Sequence, residues 1–178
     1  MNAVSRLALI MLPLLLLAVA PAALARNYSL ELIIFANPGG GAREAETWRA
    51  DPGLPDVASA QPAGIEVRPL GPNAYRMSGI WQALRGSPGY RPIRHVAWLQ
   101  RGTSRSRAPV VLLGDGPESD VYGTVRLSRG RFLHVDLDLI LQDADGPVRM
   151  KMSRRMRSNE IHYLDHPLFG VMVVATPR

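Results

Sequence analysis

Polar and apolar residues alternate with a period of two through most of the second half of the chain, which predicts strands rather than helices. From Asp120 to Leu141 the alternation is clearest. Leu133, Val135, Leu137, Leu139 and Leu141 share one face, and His134, Asp136 and Asp138 share the other. This reads as a hairpin whose loop is Ser128, Arg129 and Gly130, with Gly130 left-handed, Val125 opposite Leu133 and Thr124 opposite His134. After a turn at Asp143 to Pro147, Val148, Met150 and Met152 should point inward, and Arg149, Lys151, Ser153, Arg155 and Arg157 outward. The acidic and basic stripes would then be cross-strand neighbours. Arg154 falls on the apolar side, where a carboxylate should meet it or the strand should bulge.

Tyr28 to Phe35 alternates and then becomes apolar on both faces, and Val171 to Val174 is apolar throughout, so both read as interior strands. Arg91 to Arg101 is extended, and its parity sets His95 and Trp98 on opposite faces, so one of them should reach solvent. Pro109 to Leu113 makes a further short strand, and Ser158-Asn159 a turn before a return strand from Glu160 to Tyr163. The period changes only at Met77, Ile80, Trp81 and Leu84. These form the apolar stripe of one amphipathic helix starting after Asn73 as N-cap and ending near Gly86, with Trp81 as a core anchor. The sum is an α+β fold: a largely antiparallel β-sheet of about seven or eight strands with one main helix.

Two stretches break the pattern. Residues 37–73 hold six prolines and six glycines, a composition that fits disorder or a long excursion without regular structure beyond a turn of helix at 42–48. At the other break, one arginine, Arg6, precedes an apolar run from Leu7 to Val19, followed by Ala23, Leu24 and Ala25. That is the plan of a secretory signal peptide over residues 1–25, cleaved after Ala25. The run is short for a bilayer span, and nothing later resembles an integral membrane segment. Residues 26–178 are then expected to form a single α+β domain carrying the 37–73 excursion.

Composition narrows the compartment and the partners. The chain has no cysteine, so it has neither a disulfide framework nor the lipid-bearing cysteine of a bacterial lipoprotein. An exported chain of this kind suits a Gram-negative periplasm. The formal charge is +6, and every basic residue but Lys151 is arginine. Guanidinium groups favour planar anions through paired hydrogen bonds. Outside the cytoplasm nucleic acid is scarce, which leaves lipid headgroups, lipopolysaccharide and the carboxylates of peptidoglycan stem peptides.

The densest polar segment precedes the last strand. Arg154, Arg155, Arg157, Glu160, His162, Tyr163, Asp165 and His166, with Trp98 if its strand lies beside them, form the candidate ligand-binding set. Arginines would take carboxylates, aromatic faces would stack on sugars, and Glu160 and Asp165 would orient the arginines or accept from hydroxyls. A metal site built on His134, Asp136 and Asp138 is allowed by their spacing, but facing Arg149 and Lys151 explain the aspartates as ion pairs, so no metal and no cofactor is expected. No nucleophile elbow, zinc-peptidase signature or Ser-x-x-Lys occurs, and no enzyme is expected.

The segments YSLELIIF, RHVAWLQ, GTVRLSRGRFLHVDLDL and RRMRSNEIHYLDHPLFGVMV together resemble the CsiV family of periplasmic peptidoglycan-binding proteins. The resemblance implies a noncatalytic murein-binding protein that supports cell-wall synthesis alongside the lipoprotein activator of a penicillin-binding synthase. The alternative is an envelope adaptor that docks the synthase or its lipoprotein without touching murein. Whether glycan or peptide is recognised, and the oligomeric state, are left open by the residues alone.

Overall fold

The computed structural model describes residues 26–37, 52–62, 67–143 and 146–178. The expected signal peptide and the turn of helix at 42–48 lie outside them. The strands are β1 (Asn27–Ala36), β2 (Gln61–Pro62), β3 (Arg68–Pro69), β4 (Arg91–Arg101), β5 (Val110–Leu113), β6 (Val121–Arg129), β7 (Leu133–Asp143), β8 (Gly146–Met156), β9 (Ile161–His166) and β10 (Phe169–Pro177). One α-helix, α1 (Ser78–Arg85), precedes β4. The expected mostly antiparallel architecture with one helix holds among the described residues, but the strands divide between two sheets. Sheet A has the order β3-β4-β1-β10-β9 and sheet B the order β2-β5-β6-β7-β8.

The division follows from which residues share a face. On β1, Tyr28, Leu30, Leu32, Ile34 and Ala36 pack with Phe169, Val171, Val173 and Ala175 of β10 against the odd-numbered run from Leu133 to Leu141 of β7. Apolar faces of two sheets thus close on each other as a sandwich. The second face of β1 is also covered, because Ile33 and Phe35 pack with Val174 under Met77, Ile80, Trp81 and Leu84. Sheet A is therefore a middle layer, and this explains why YSLELIIF and the last strand lose their alternation. Sheet B keeps a polar outer face, with Thr124 opposite Asp138 and Arg126 opposite Asp136.

Several local expectations are corrected. Neither His95 nor Trp98 reaches solvent: Trp98 is 1% exposed and the His95 side chain 7%, because both faces of β4 are covered. In the hairpin, Arg129 lies opposite Leu133 and Val125 opposite Leu137. The loop therefore falls at Gly130, Arg131 and Phe132, two residues beyond the expected one, which moves the partner of each β6 residue by four, and the parity survives because that shift is even. Gly130 is not left-handed.

Ser158-Asn159 does turn, with Asn159 at φ 64°, but β9 does not return along β8. The turn carries the chain from sheet B to sheet A, where Asn159 N donates to Ala175 O at 2.9 Å and β9 pairs with β10. The described parts of the 37–73 excursion are ordered pieces: β2 lies parallel to β5, β3 antiparallel to β4, and Arg149 Nη1 donates to Pro52 O at 3.1 Å.

Gly123 sits within β6 at φ +142°, and a Cβ there would run into the Asp138 carbonyl oxygen. Gly123→Ala should lower stability by about 1–3 kcal/mol. A reduced urea midpoint with an unchanged slope would show it.

Candidate functional site

The outer face of sheet A is organised by one carboxylate. Glu31 is 3% exposed in the middle of β1, and a buried carboxylate must be hydrogen-bonded to be tolerated. Its Oε2 accepts from Arg76 N at 2.7 Å, and its Oε1 from Met77 N at 2.8 Å. His95 Nε2 lies 2.7 Å from Oε1, and because a carboxylate only accepts, the ring presents its N–H there. Met77 is the N-cap residue of α1, and no side chain of its own element caps it. Asn73 is thus not the cap; it belongs to a short 3-10 turn, Pro72–Ala74. A strand residue 46 positions away supplies the negative charge a helix N-terminus favours.

Tyr75 and Trp81 close over the pair, with ring centroids 4.4 and 5.3 Å from that of His95. Burial pushes the Tyr75 phenol up, a hydrogen bond with the Ala97 backbone pulls it down, and the charge of Glu31 raises it.

Fixing Arg76 at this point builds a cleft. Its Nη1 donates to Thr176 Oγ1 at 2.7 Å and to Asn159 Oδ1 at 3.0 Å. Arg178 Nε donates to Ser29 Oγ at 3.1 Å, and Arg68 projects from edge strand β3. These three arginines, with Asn73, Asn159 and Thr176, line an open cleft of about 730 Å³ whose walls carry no acidic side chain. Each guanidinium has five donors, and Arg76 spends only Nη1 on the protein among the described residues. The cleft can therefore take carboxylates.

Near the other end of the helix the same face carries an aromatic patch. Phe35 lies opposite Gly170, and the ring of Tyr163 stacks on it at 6.0 Å and 11°, with Tyr90 edge-on at 5.5 Å. Tyr90 and Tyr163 are each 43% exposed. Gly170 is what permits this, since a Cβ there would stand 2.5 Å from Tyr163 Cε2 and 2.7 Å from Phe35 Cζ. Tyr163 OH donates to Asp165 Oδ1 at 2.5 Å. Its phenol is pushed well above the usual range by burial first, then by that hydrogen bond and the charge of Asp165.

The expected binding set does not assemble. Tyr163 and Asp165 stay together on the outer face of sheet A. Arg155 lies on the outer face of sheet B, its guanidinium 4.6 Å from the centroid of Phe132. Among the described residues Arg154 meets neither a carboxylate nor a bulge; it pairs in register with Val135, yet it is exposed, because no described residue covers this edge of the sandwich and even Met152 is 39% exposed.

Arg157 and Glu160 form a solvated pair at 3.9 Å beside Asn159. His162 is buried and accepts from Arg157 N at 3.1 Å. His166 Nδ1 accepts from Leu168 N at 3.3 Å within the β9–β10 turn. Trp98 is inside the sandwich, donating to Gln100 Oε1 at 2.8 Å. Arg68, Arg76, Arg178, Tyr90 and Phe35 were not legible as site residues, since they meet only through sheet A. The one usable signal was Glu31, a charge in a strand too apolar to be a surface strand.

Of three comparisons with known proteins, the family models give a match. Residues 55–178 match the model described as peptidoglycan-binding protein, CsiV. The chain belongs to the CsiV family. The matched span covers sheet B entirely and every strand of sheet A but β1, so this CsiV chain brings its own Glu31 and Phe35 from outside the match to complete the face described above. Neither the curated proteins nor the solved structures give a match. No helix of the described residues is long and apolar enough to cross a membrane.

Removing Glu31 leaves His95 and the backbone N–H groups of Arg76 and Met77, just ahead of α1, without their acceptor. Glu31→Ala should cost about 3–5 kcal/mol, read by urea denaturation. Tyr163 should ionise later than the ordinary tyrosine value of about 10. Its raised pKa stabilises the fold below that value, and the contribution is lost as pH climbs toward the folded value. In an alkaline absorbance titration, Tyr163→Phe should delete the latest phase and Asp165→Asn should move it earlier.

Proposed function

We propose that this protein is a noncatalytic, periplasmic murein-binding domain that grips stem-peptide carboxylates in the Arg68–Arg76–Arg178 cleft and lays the adjoining glycan on the Tyr90–Tyr163 patch. Family membership supplies the ligand class. What carries the placement is that three guanidiniums line one cleft with no acid among them, on the same face as two half-exposed tyrosines. Thr176 beside the cleft and Gly170 beneath the patch are six residues apart on β10, roughly 20 Å. That span suits a polymer held at two points rather than a small solute. Arg157 and Glu160 sit at the rim of the cleft through Asn159, and Asp165 holds the Tyr163 hydroxyl. Arg154 and Arg155 belong to other surfaces and are not part of this grip.

Each charge-assisted hydrogen bond is modest in solvent, so a single repeat should bind weakly and the polymer by avidity. The protein would serve cell-wall synthesis by holding a synthase complex, including its lipoprotein activator, close to the murein. Co-sedimentation with purified sacculi should occur and weaken with salt. Arg68→Glu together with Arg178→Glu, which leaves Arg76 and its contacts in place, should reduce the pelleted fraction at least tenfold with circular dichroism unchanged. Arg154→Ala with Arg155→Ala should leave it within twofold. Unchanged pelleting of the first variant overturns the cleft, and a wild-type protein that captures the synthase complex but never pellets is an adaptor instead.

A further inference from the structure

The polar outer face of sheet B carries a second cavity, of about 460 Å³, at the positions where β6, β7 and β8 bring opposite charges together. Asp136 and Asp138 stand two residues apart on β7 and are treated differently. Asp138 is satisfied: Arg149 Nε and Nη2 donate to its two oxygens at 2.7 and 2.8 Å. Both oxygens of Asp136 are withdrawn from solvent, and neither accepts a hydrogen bond among the described residues. Among the described residues its ion-pair partner is Arg105, whose Nη2 is 3.0 Å from Oδ1 on a side chain 62% exposed, close enough to pair but not aligned to donate. Arg126 lies directly opposite Asp136, and its buried Nε likewise donates to nothing among the described residues.

A buried carboxylate that accepts no hydrogen bond and a buried guanidinium N–H that donates none are costly side by side, even with Arg105 supplying a charge to the first. Aligned pairing was within reach, as Arg149 and Asp138 show on the same sheet. What the cavity lacks is a donor for Asp136 and an acceptor for Arg126, separated by one cross-strand spacing, about 5 Å. The wall carries both signs, Arg105 and Lys151 with Asp56 and Asp138, Lys151 lying 3.7 Å from Asp138 Oδ2; a negative group is favoured only beside Arg126, and a simple anion would meet the charge of Asp136. A metal ion would find cations around its carboxylate. A ligand with an ammonium and a carboxylate on one carbon fits both demands.

We propose that this cavity is a binding site for an α-amino carboxylate head group, its ammonium donating to Asp136 and its carboxylate accepting from Arg126 and Lys151. The identification of that head group as the free end of a diamino acid in a stem peptide rests on the murein-binding reading; the head-group chemistry does not.

The test is an amide NMR titration of the protein with meso-diaminopimelic acid, with pimelic acid, which lacks the ammonium groups, as control. Saturable shifts at Thr124, Arg126 and Asp136 with the diamino acid alone are expected. Asp136→Asn should weaken binding at least tenfold without lowering the melting temperature, because it removes an unsatisfied charge. Arg68→Glu with Arg178→Glu should leave the titration unchanged. Three outcomes overturn the site: no saturable shift, equal binding of pimelic acid, or an Asp136→Asn variant that melts lower and binds as before, which would make Asp136 a structural partner of Arg105. Failure here with sacculus pelleting intact removes this site alone, and binding here without pelleting removes the murein reading alone.

Discussion

Glu31 lies in the middle of a strand covered on both faces, and its carboxylate receives the backbone N–H groups of Arg76 and Met77 and the ring of His95. Strand, helix start and neighbouring strand are joined through two oxygen atoms. Because unpaired burial of a carboxylate is prohibitive, the segment from Tyr75 to Met77 has little choice of position, and neither has α1, which begins there. Arg76 is aimed across β10 toward Thr176 and Asn159 by the same constraint. The arginine cleft exists because the helix is anchored from below.

The three-layer arrangement also sorts charge. Sheet A has one face in the sandwich and the other partly under α1, so polar groups on it survive only at the two ends of the helix, where the cleft and the tyrosine patch lie. Among the described residues no helix covers the outer face of sheet B, and there charges of both signs alternate across strands in the manner expected of a solvated antiparallel sheet. The two surfaces differ in kind: one cleft with arginine and no acid, and one cavity in which acid and base face each other. A shared turn at Asn159 is where the chain passes between them, and the left-handed backbone there is one that asparagine tolerates well.

Much of this architecture was visible in the residues. Period two in β7 and β8 gave the hairpins and the outward acidic and basic stripes, and the unbroken apolar runs of β1 and β10 marked interior strands. The register of β6 against β7 was not visible, because two loop placements two residues apart, which shift the pairing by four, preserve the same inward set and only the turn decides between them. The site was less legible than the fold. Arg154, Arg155 and Arg157 are adjacent in sequence and diverge in space, since a strand sends neighbours to opposite faces and the turn after Met156 changes sheets. Arg68, Arg76 and Arg178 are distant in sequence and converge, through pairings no local pattern encodes. Tyr163 and Asp165, two apart on β9, share a face by parity alone and hold together, and Arg157 stays beside Glu160 and His162 across the turn.

The central claim is that the face organised by Glu31 is the one that meets the cell wall. Amide hydrogen exchange with and without solubilised murein fragments measures this residue by residue. The account predicts protection over residues 68–76, 159–163 and 176–178. Protection confined to residues 149–157, or none on sheet A, would contradict it.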